Sequence, residues 1–80
     1  MDQQDAASNM AANLQAALEI RGWNQSDLAR ETGQSTMNIS RFVRGLRIPS
    51  ADVAIDLARV LGLTVEQLFL PPAKKSRQTA

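Results

Sequence analysis

The stretch Gln25–Arg44, QSDLARETGQSTMNISRFVR, decides the fold. It holds two short amphipathic runs with a glycine between them. Leu28 and Ala29 are the apolar positions of the first run. Ile39, Phe42 and Val43 fall at i, i+3 and i+4 in the second, which is helical spacing. Two helices that meet at a steep angle need a small residue at the contact, a residue tolerant of positive φ at the bend, and apolar residues behind both. Ala29, Gly33 and the set Leu28, Ile39 and Phe42 meet those needs in turn. At about 100° per residue, Thr36, Met37, Ser40, Arg41 and Arg44 lie opposite Ile39, Phe42 and Val43, with Asn38 at the edge. The second run therefore has one side to bury and an arginine-bearing side with nothing to cover it.

Signals on either side extend the helical reading. Met10, Leu14, Ala17 and Leu18 recur at helical spacing and predict a first helix over about 9–21, ended by Gly22 in the left-handed conformation. Asn24 is placed to cap a helix over 25–32, and Ser35 one over 36–44 that Gly45 stops. Pro49-Ser50 reads as a turn followed by a cap. A fourth helix over 51–61 carries Val53, Ala54, Leu57, Ala58 and Leu61 on one stripe and ends at Gly62. Thr64 and Gln67 form a capping box for a short fifth helix over 65–70, which Pro71-Pro72 forbids to continue. Nothing reads as a strand. The expected fold class is all-α: a compact five-helix bundle occupying 9–70, with a flexible N-terminal segment at 1–8 and a basic flexible tail at 71–80 that carries Lys74, Lys75 and Arg77.

Composition narrows the function. Eighty residues make one small domain. Cysteine and histidine are both absent, which removes disulfides, thiolate metal sites, and the commonest general base and metal ligand. Both lysines lie in the tail, and no Ser, Thr, Asp and Glu constellation stands out. The chain is expected not to be an enzyme and to use no cofactor, metal or small-molecule ligand. No apolar run approaches the ~20 residues of a membrane span, and the N-terminus is polar and acidic where a secretion signal is basic and then apolar, so a cytoplasmic location without membrane contact is expected. The net charge is only +1, but no acidic residue lies between Glu31 and Asp52, where Arg41, Arg44 and Arg47 fall. A local positive zone on a nearly neutral chain suits docking on a polyanion.

The sequence resembles the Cro/repressor-type helix-turn-helix family of bacterial and phage regulators. The residues that carry the likeness are GWNQSDLA at Gly22–Ala29, the turn Gly33, ISRFVRG at Ile39–Gly45, RIPS at Arg47–Ser50 and LARVLGLTVEQLF at Leu57–Phe69. The resemblance implies a lambda-repressor-like DNA-binding domain whose third helix lies in the major groove. It implies a phosphate contact at Gln25, base reading at Thr36, Met37 and Arg41, and a base or phosphate contact at Asn38. The chain departs from the family at Thr32 and Gln34, where apolar residues are usual, and at Leu18 and Val43, where many members carry an arginine–glutamate pair. Leu18 is expected to pack on Val43, replacing charge by apolar contact.

These readings combine into a double-stranded DNA-binding transcriptional regulator, most simply a repressor. Arg41 can bridge O6 and N7 of guanine, Met37 and Thr36 can meet a thymine methyl, and Asn38 can pair with adenine. Ser35 (besides its capping role), Ser40, Arg44 and Arg47 join Gln25 as phosphate contacts, with the minor groove an alternative for Arg47. Ser50 is read as a cap and Trp23 as core. One such helix spans too few base pairs for a useful site, so a homodimer on a palindromic operator is expected. Its candidate interface is Leu63, Val65, Phe69 and Leu70. The competing reading is a protein–protein module, antitoxin-like or a bridging adaptor, using Met37 and the apolar fifth helix.

Overall fold

Among the described residues each helix begins where a short polar side chain takes up an amide left over by the first turn. Asp5, Asn24, Ser35, Ser50 and Thr64 each accept from the backbone N–H three residues on. The computed structural model describes residues 5–72. Within them the order is α1 (Ala6–Arg21), α2 (Gln25–Thr32), α3 (Thr36–Val43), α4 (Ala51–Leu61) and α5 (Val65–Phe69). The expected all-α five-helix bundle is what forms, and α2 and α4 have the bounds their caps and glycines predict.

Three boundaries differ from the sequence reading. Helix α1 starts at Ala6, so Ala6–Ser8 are helical where a flexible segment was expected. Asp5 Oδ1 accepts from Ser8 N–H at 2.9 Å, and two alanines, the strongest helix formers, follow that cap. Helix α3 ends at Val43, because Arg44 already leaves helical geometry at φ −92° and ψ 0°. Helix α5 ends at Phe69, because Leu70 precedes a proline and is pushed to extended backbone at ψ 157°. Residues 1–4 and the basic tail at 73–80, with Lys74, Lys75 and Arg77, lie outside the described residues.

The core sits where the helices converge. Helix α1 packs on α3 and α5, α2 on α3 and α4, and α4 on α5. Met10, Leu14, Leu28, Ile39, Leu57 and Leu68 are fully buried among them. Leu18 and Val43 are buried in the same cluster, so the positions of the family's ion pair belong to the apolar core. Thr32, polar where an apolar residue is usual, donates its hydroxyl to Leu28 O at 2.8 Å and leaves no polar atom unsatisfied.

Helix α1 also uses amides to hold its neighbours. The Asn13 amide donates to Leu68 O and Leu70 O, each at 2.8 Å, and the Asn9 amide donates to Phe69 O at 3.1 Å. A helix of five residues cannot sustain itself in water, since nucleation outweighs so few bonds. Its exposed carbonyl end is instead satisfied from α1. Asn13→Ala is expected to cost about 1–2 kcal/mol, because the carbonyls lose their donors. Hydrogen exchange should show the amides of 65–70 losing protection before the rest of the bundle; uniform loss across all helices would contradict this account.

Candidate nucleic-acid interface

The geometry is set at Gly33. Its backbone sits at φ +74°, a region closed to most side chains, and it lets Gln34 N–H reach back to Ala29 O at 3.1 Å. A Cβ at this position would meet nothing within 4 Å, so backbone conformation alone demands the glycine. The chain then reverses into the Ser35 cap, whose Oγ accepts from Asn38 N–H at 3.0 Å. The serine hydroxyl keeps its proton to donate elsewhere.

Helix α3 is thereby held with Ile39, Phe42 and Val43 in the core and its other side outward. Thr36 is exposed, and Met37 is 63% exposed, uncovered by any neighbouring helix. Arg44 and Arg47 are exposed as well. Ser40 and Arg41 are half-buried, closer to the bundle than a helical wheel placed them. Asn38 is half-buried, and its amide is turned back along the helix to donate to Gln34 Oε1 at 3.4 Å. Gln34, the second polar departure from the family pattern, thus serves as an acceptor for a residue expected to reach DNA. Gln25 is half-buried at the first position of α2. The base-reading candidates share α3, while the phosphate candidates Gln25, Ser35, Arg44 and Arg47 lie at helix starts and on the exit from α3.

The charges are distributed unevenly. Among the described residues Arg30 pairs with Asp27 at 2.8 Å, Arg59 pairs with Asp56 at 2.6 Å, and Arg21 stacks over the Trp23 ring at 5.4 Å. The side chains of Arg41, Arg44 and Arg47 have no such partner among the described residues. Among the described residues nothing competes with an external anion for their cationic groups. At the start of α2 the amides of Gln25 and Ser26 are likewise unpartnered among the described residues, which is favourable for a phosphate oxygen.

Asp27 closes the capping box of α2. Its carboxylate accepts from Asn24 N–H at 2.9 Å and from Arg30 at 2.8 Å. The backbone hydrogen bond and then the arginine hold its pKa below the ordinary 3.8. A group lowered on folding stabilises the fold above its unfolded value and loses that effect as pH falls through the folded one. The contribution of Asp27 should therefore be complete above pH 3.8 and be lost progressively as pH falls from there through the lower folded-state value. Asp27→Asn should flatten that part of the acid limb in circular-dichroism titrations; an unchanged limb would contradict the cap's role.

The dimer candidates divide in two. Leu63 and Phe69 are half-buried and pack against the core, whereas Val65 and Leu70 are exposed. The sequence reading missed Ile20, which is 85% exposed and borders a shallow cleft of about 480 Å³ shared with Ala17, Arg21, Trp23, Leu61 and Leu63. The available signal was an isoleucine on the polar side of α1, between Glu19 and Arg21. It also missed Leu46, 64% exposed on the exit from α3. Trp23 is half-buried against the core, as read. Among the described residues no helix is long and apolar enough to cross a membrane, and no three His, Cys, Asp or Glu side chains are grouped to hold a metal ion.

A bundle of five helices, with a glycine-hinged pair that leaves the outer side of its second helix uncovered, defines the helix-turn-helix class. The chain belongs to the Cro/repressor-type helix-turn-helix family: the family's helix-turn-helix model matches residues 14–68. It is similar to a Neisseria meningitidis serogroup B protein described as a hypothetical transcription factor, at 30% identity over 74 residues that make up 92% of this chain and 70% of the relative. It is 33% identical over 61 residues, 76% of this chain and 87% of the relative, to a Bacillus subtilis strain 168 protein described as the uncharacterized HTH-type transcriptional regulator YazB. The crystal structure of the hypothetical transcription factor NHTF from Neisseria superposes with a TM-score of 0.81 at 30% identity, covering 90% of this chain and 83% of that one. The restriction-modification controller protein C.AhdI from Aeromonas hydrophila shares the fold, with a TM-score of 0.72 at 24% identity over 79% of this chain and 96% of that one.

Proposed function

We infer that this protein is a sequence-specific, double-stranded DNA-binding transcriptional regulator that acts in the cytoplasm as a dimeric repressor on a palindromic operator. The observation that carries this reading is the trio Arg41, Arg44 and Arg47, unpaired within the described fold, with Arg44 and Arg47 exposed and Arg41 half-buried one turn after the exposed Met37. Two related chains described as a transcription factor and a transcriptional regulator support it. In this reading α3 enters the major groove. Thr36, Met37, Asn38 and Arg41 meet base edges, and Gln25, Ser35, Ser40, Arg44 and Arg47 meet phosphates. Asn38 must release Gln34 to reach a base. Such an exchange replaces a long, weak hydrogen bond by a better one.

Two protomers related by a twofold axis would set their α3 helices about 34 Å apart, one turn of duplex. Val65 and Leu70 supply exposed apolar surface for that contact, and Leu63 connects them to the Ile20 cleft. Ile20→Lys should leave the fold intact and shift sedimentation equilibrium towards monomer.

The experiment is a salt titration of binding to duplex DNA. The logarithm of the association constant should fall linearly with the logarithm of salt concentration, at about −0.9 per phosphate neutralised. No duplex binding at low salt would overturn the reading and favour a protein–protein adaptor.

A further inference from the structure

The C-terminal end of α3 shows how the DNA-facing helix is fixed in place. Four carbonyls at the end of any helix lack internal partners. Three of them here are satisfied by the chain that follows: Ser40 O accepts from Arg44 N–H at 3.0 Å, Phe42 O from Gly45 N–H at 3.1 Å, and Arg41 O from Leu46 N–H at 2.9 Å. With Gly45 at φ +73°, the last two bonds form a Schellman motif. Only Val43 O is left over, and it accepts from the Gln15 amide of α1 at 2.8 Å. Among the described residues this is the one hydrogen bond between α1 and α3.

The bond is part of a rail along α1. Ala7, Ala11 and Gln15 follow one another at four-residue spacing. A Cβ on Gly45 would lie 3.4 Å from Ala7 O and 3.5 Å from the Ala11 methyl, so the α3 exit runs directly over the two alanines. The apolar contacts of Leu14, Leu18, Phe42 and Val43 hold α3 against α1 but are non-directional and tolerate small slides. A hydrogen bond has preferred length and angle and fixes the residual freedom. Arg44 follows Val43 directly, and Arg47 lies four residues on. Anchoring Val43 therefore sets where both guanidinium groups stand relative to Arg41.

We propose that Gln15 is a positioning residue for DNA recognition, tying the C-terminal end of α3 to α1 so that Arg41, Arg44 and Arg47 present one fixed spacing to the duplex. This rests on the DNA-binding reading above. Gln15 itself is exposed and on the side of α1 that carries the rail, so it acts through α3. Removing its donor from this part-buried bond lowers stability on the scale of a single net hydrogen bond, far less than loss of a core side chain. The consequence falls on how accurately α3 is placed.

The test uses the full chain, a duplex selected from a random pool and a random duplex. Gln15→Met keeps the length and helix preference of the side chain and removes the donor. Measured at a temperature where both chains are fully folded, it should lower the ratio of selected to random affinity by about fivefold, with the thermal midpoint lowered by only a few degrees. Gln15→Lys restores an N–H donor and should recover the ratio when both duplexes are titrated at a salt concentration that screens the added charge. An unchanged ratio in Gln15→Met, a lost ratio that merely follows a fallen midpoint, or no recovery in Gln15→Lys would each overturn the proposal. If the parent chain fails to bind either duplex at low salt, the DNA-binding reading itself is what has failed.

Discussion

Ile39→Ala is expected to unfold most of the protein at physiological temperature. Ile39 is fully buried on the inner side of α3, where it belongs to the core shared by all five helices. Trimming a buried isoleucine to alanine removes transfer free energy and leaves a cavity, together costing about 2–5 kcal/mol. A single hydrophobic core in a chain this small supplies roughly 3–5 kcal/mol of net stability. The loss is thus comparable to the whole. Ile39→Val removes one methylene and should cost only about 0.5–1.5 kcal/mol, leaving a folded chain with a lowered midpoint. Urea unfolding followed by circular dichroism distinguishes the two variants. A folded Ile39→Ala chain that loses less than about 1 kcal/mol would mean that the inner side of α3 is not embedded as described.

The helical ends were legible in the sequence wherever a cap and a stop were both local. Asn24 with Gly33, and Ser50 with Gly62, define α2 and α4 to the residue, because each cap bonds an amide three positions on and each glycine stands at positive φ. Helix α1 was read three residues short, because Ala6, Ala7 and Ser8 carry no apolar period; the pairing of Asp5 with Ser8 was the signal to follow. Asn9, Asn13 and Gln15 were invisible as tethers. Their acceptors are backbone carbonyls 60, 55 and 28 residues away, and a carbonyl leaves no trace in residue type. What the sequence did offer was Asn9 and Asn13 at i, i+4, beside the apolar stripe of Met10 and Leu14. A polar side chain drawn into a core needs a partner, so an amide in that position is itself a prediction of a tether. The outward side of α3 was legible for Thr36, Met37 and Arg44. Ser40 and Arg41 were drawn closer to the bundle, because a wheel shows the direction of a side chain but not the width of the neighbouring helices.

Arg41→Ala should abolish sequence preference at one base pair while leaving the fold intact. The side chain is half-buried, and its guanidinium has no partner among the described residues, so its removal breaks no ion pair or hydrogen bond there. A bidentate arginine–guanine contact discriminates by about 1–3 kcal/mol, or roughly five- to over a hundredfold in relative affinity. That loss should appear on the selected duplex and be much smaller on random duplex. Arg44→Ala should behave differently, weakening all duplexes alike and reducing the salt slope by about one phosphate. Arg41→Lys separates charge from geometry. It retains the cation and so retains binding to random duplex, but an ammonium lacks the planar fork and should not restore discrimination. Met37 lies one turn before Arg41, so the preference each confers should fall on neighbouring base pairs, a thymine methyl beside a guanine. Equal losses for Arg41→Ala on selected and random duplexes would reassign Arg41 to the phosphate contacts. The reading of bases would then rest on Thr36, Met37 and Asn38 alone.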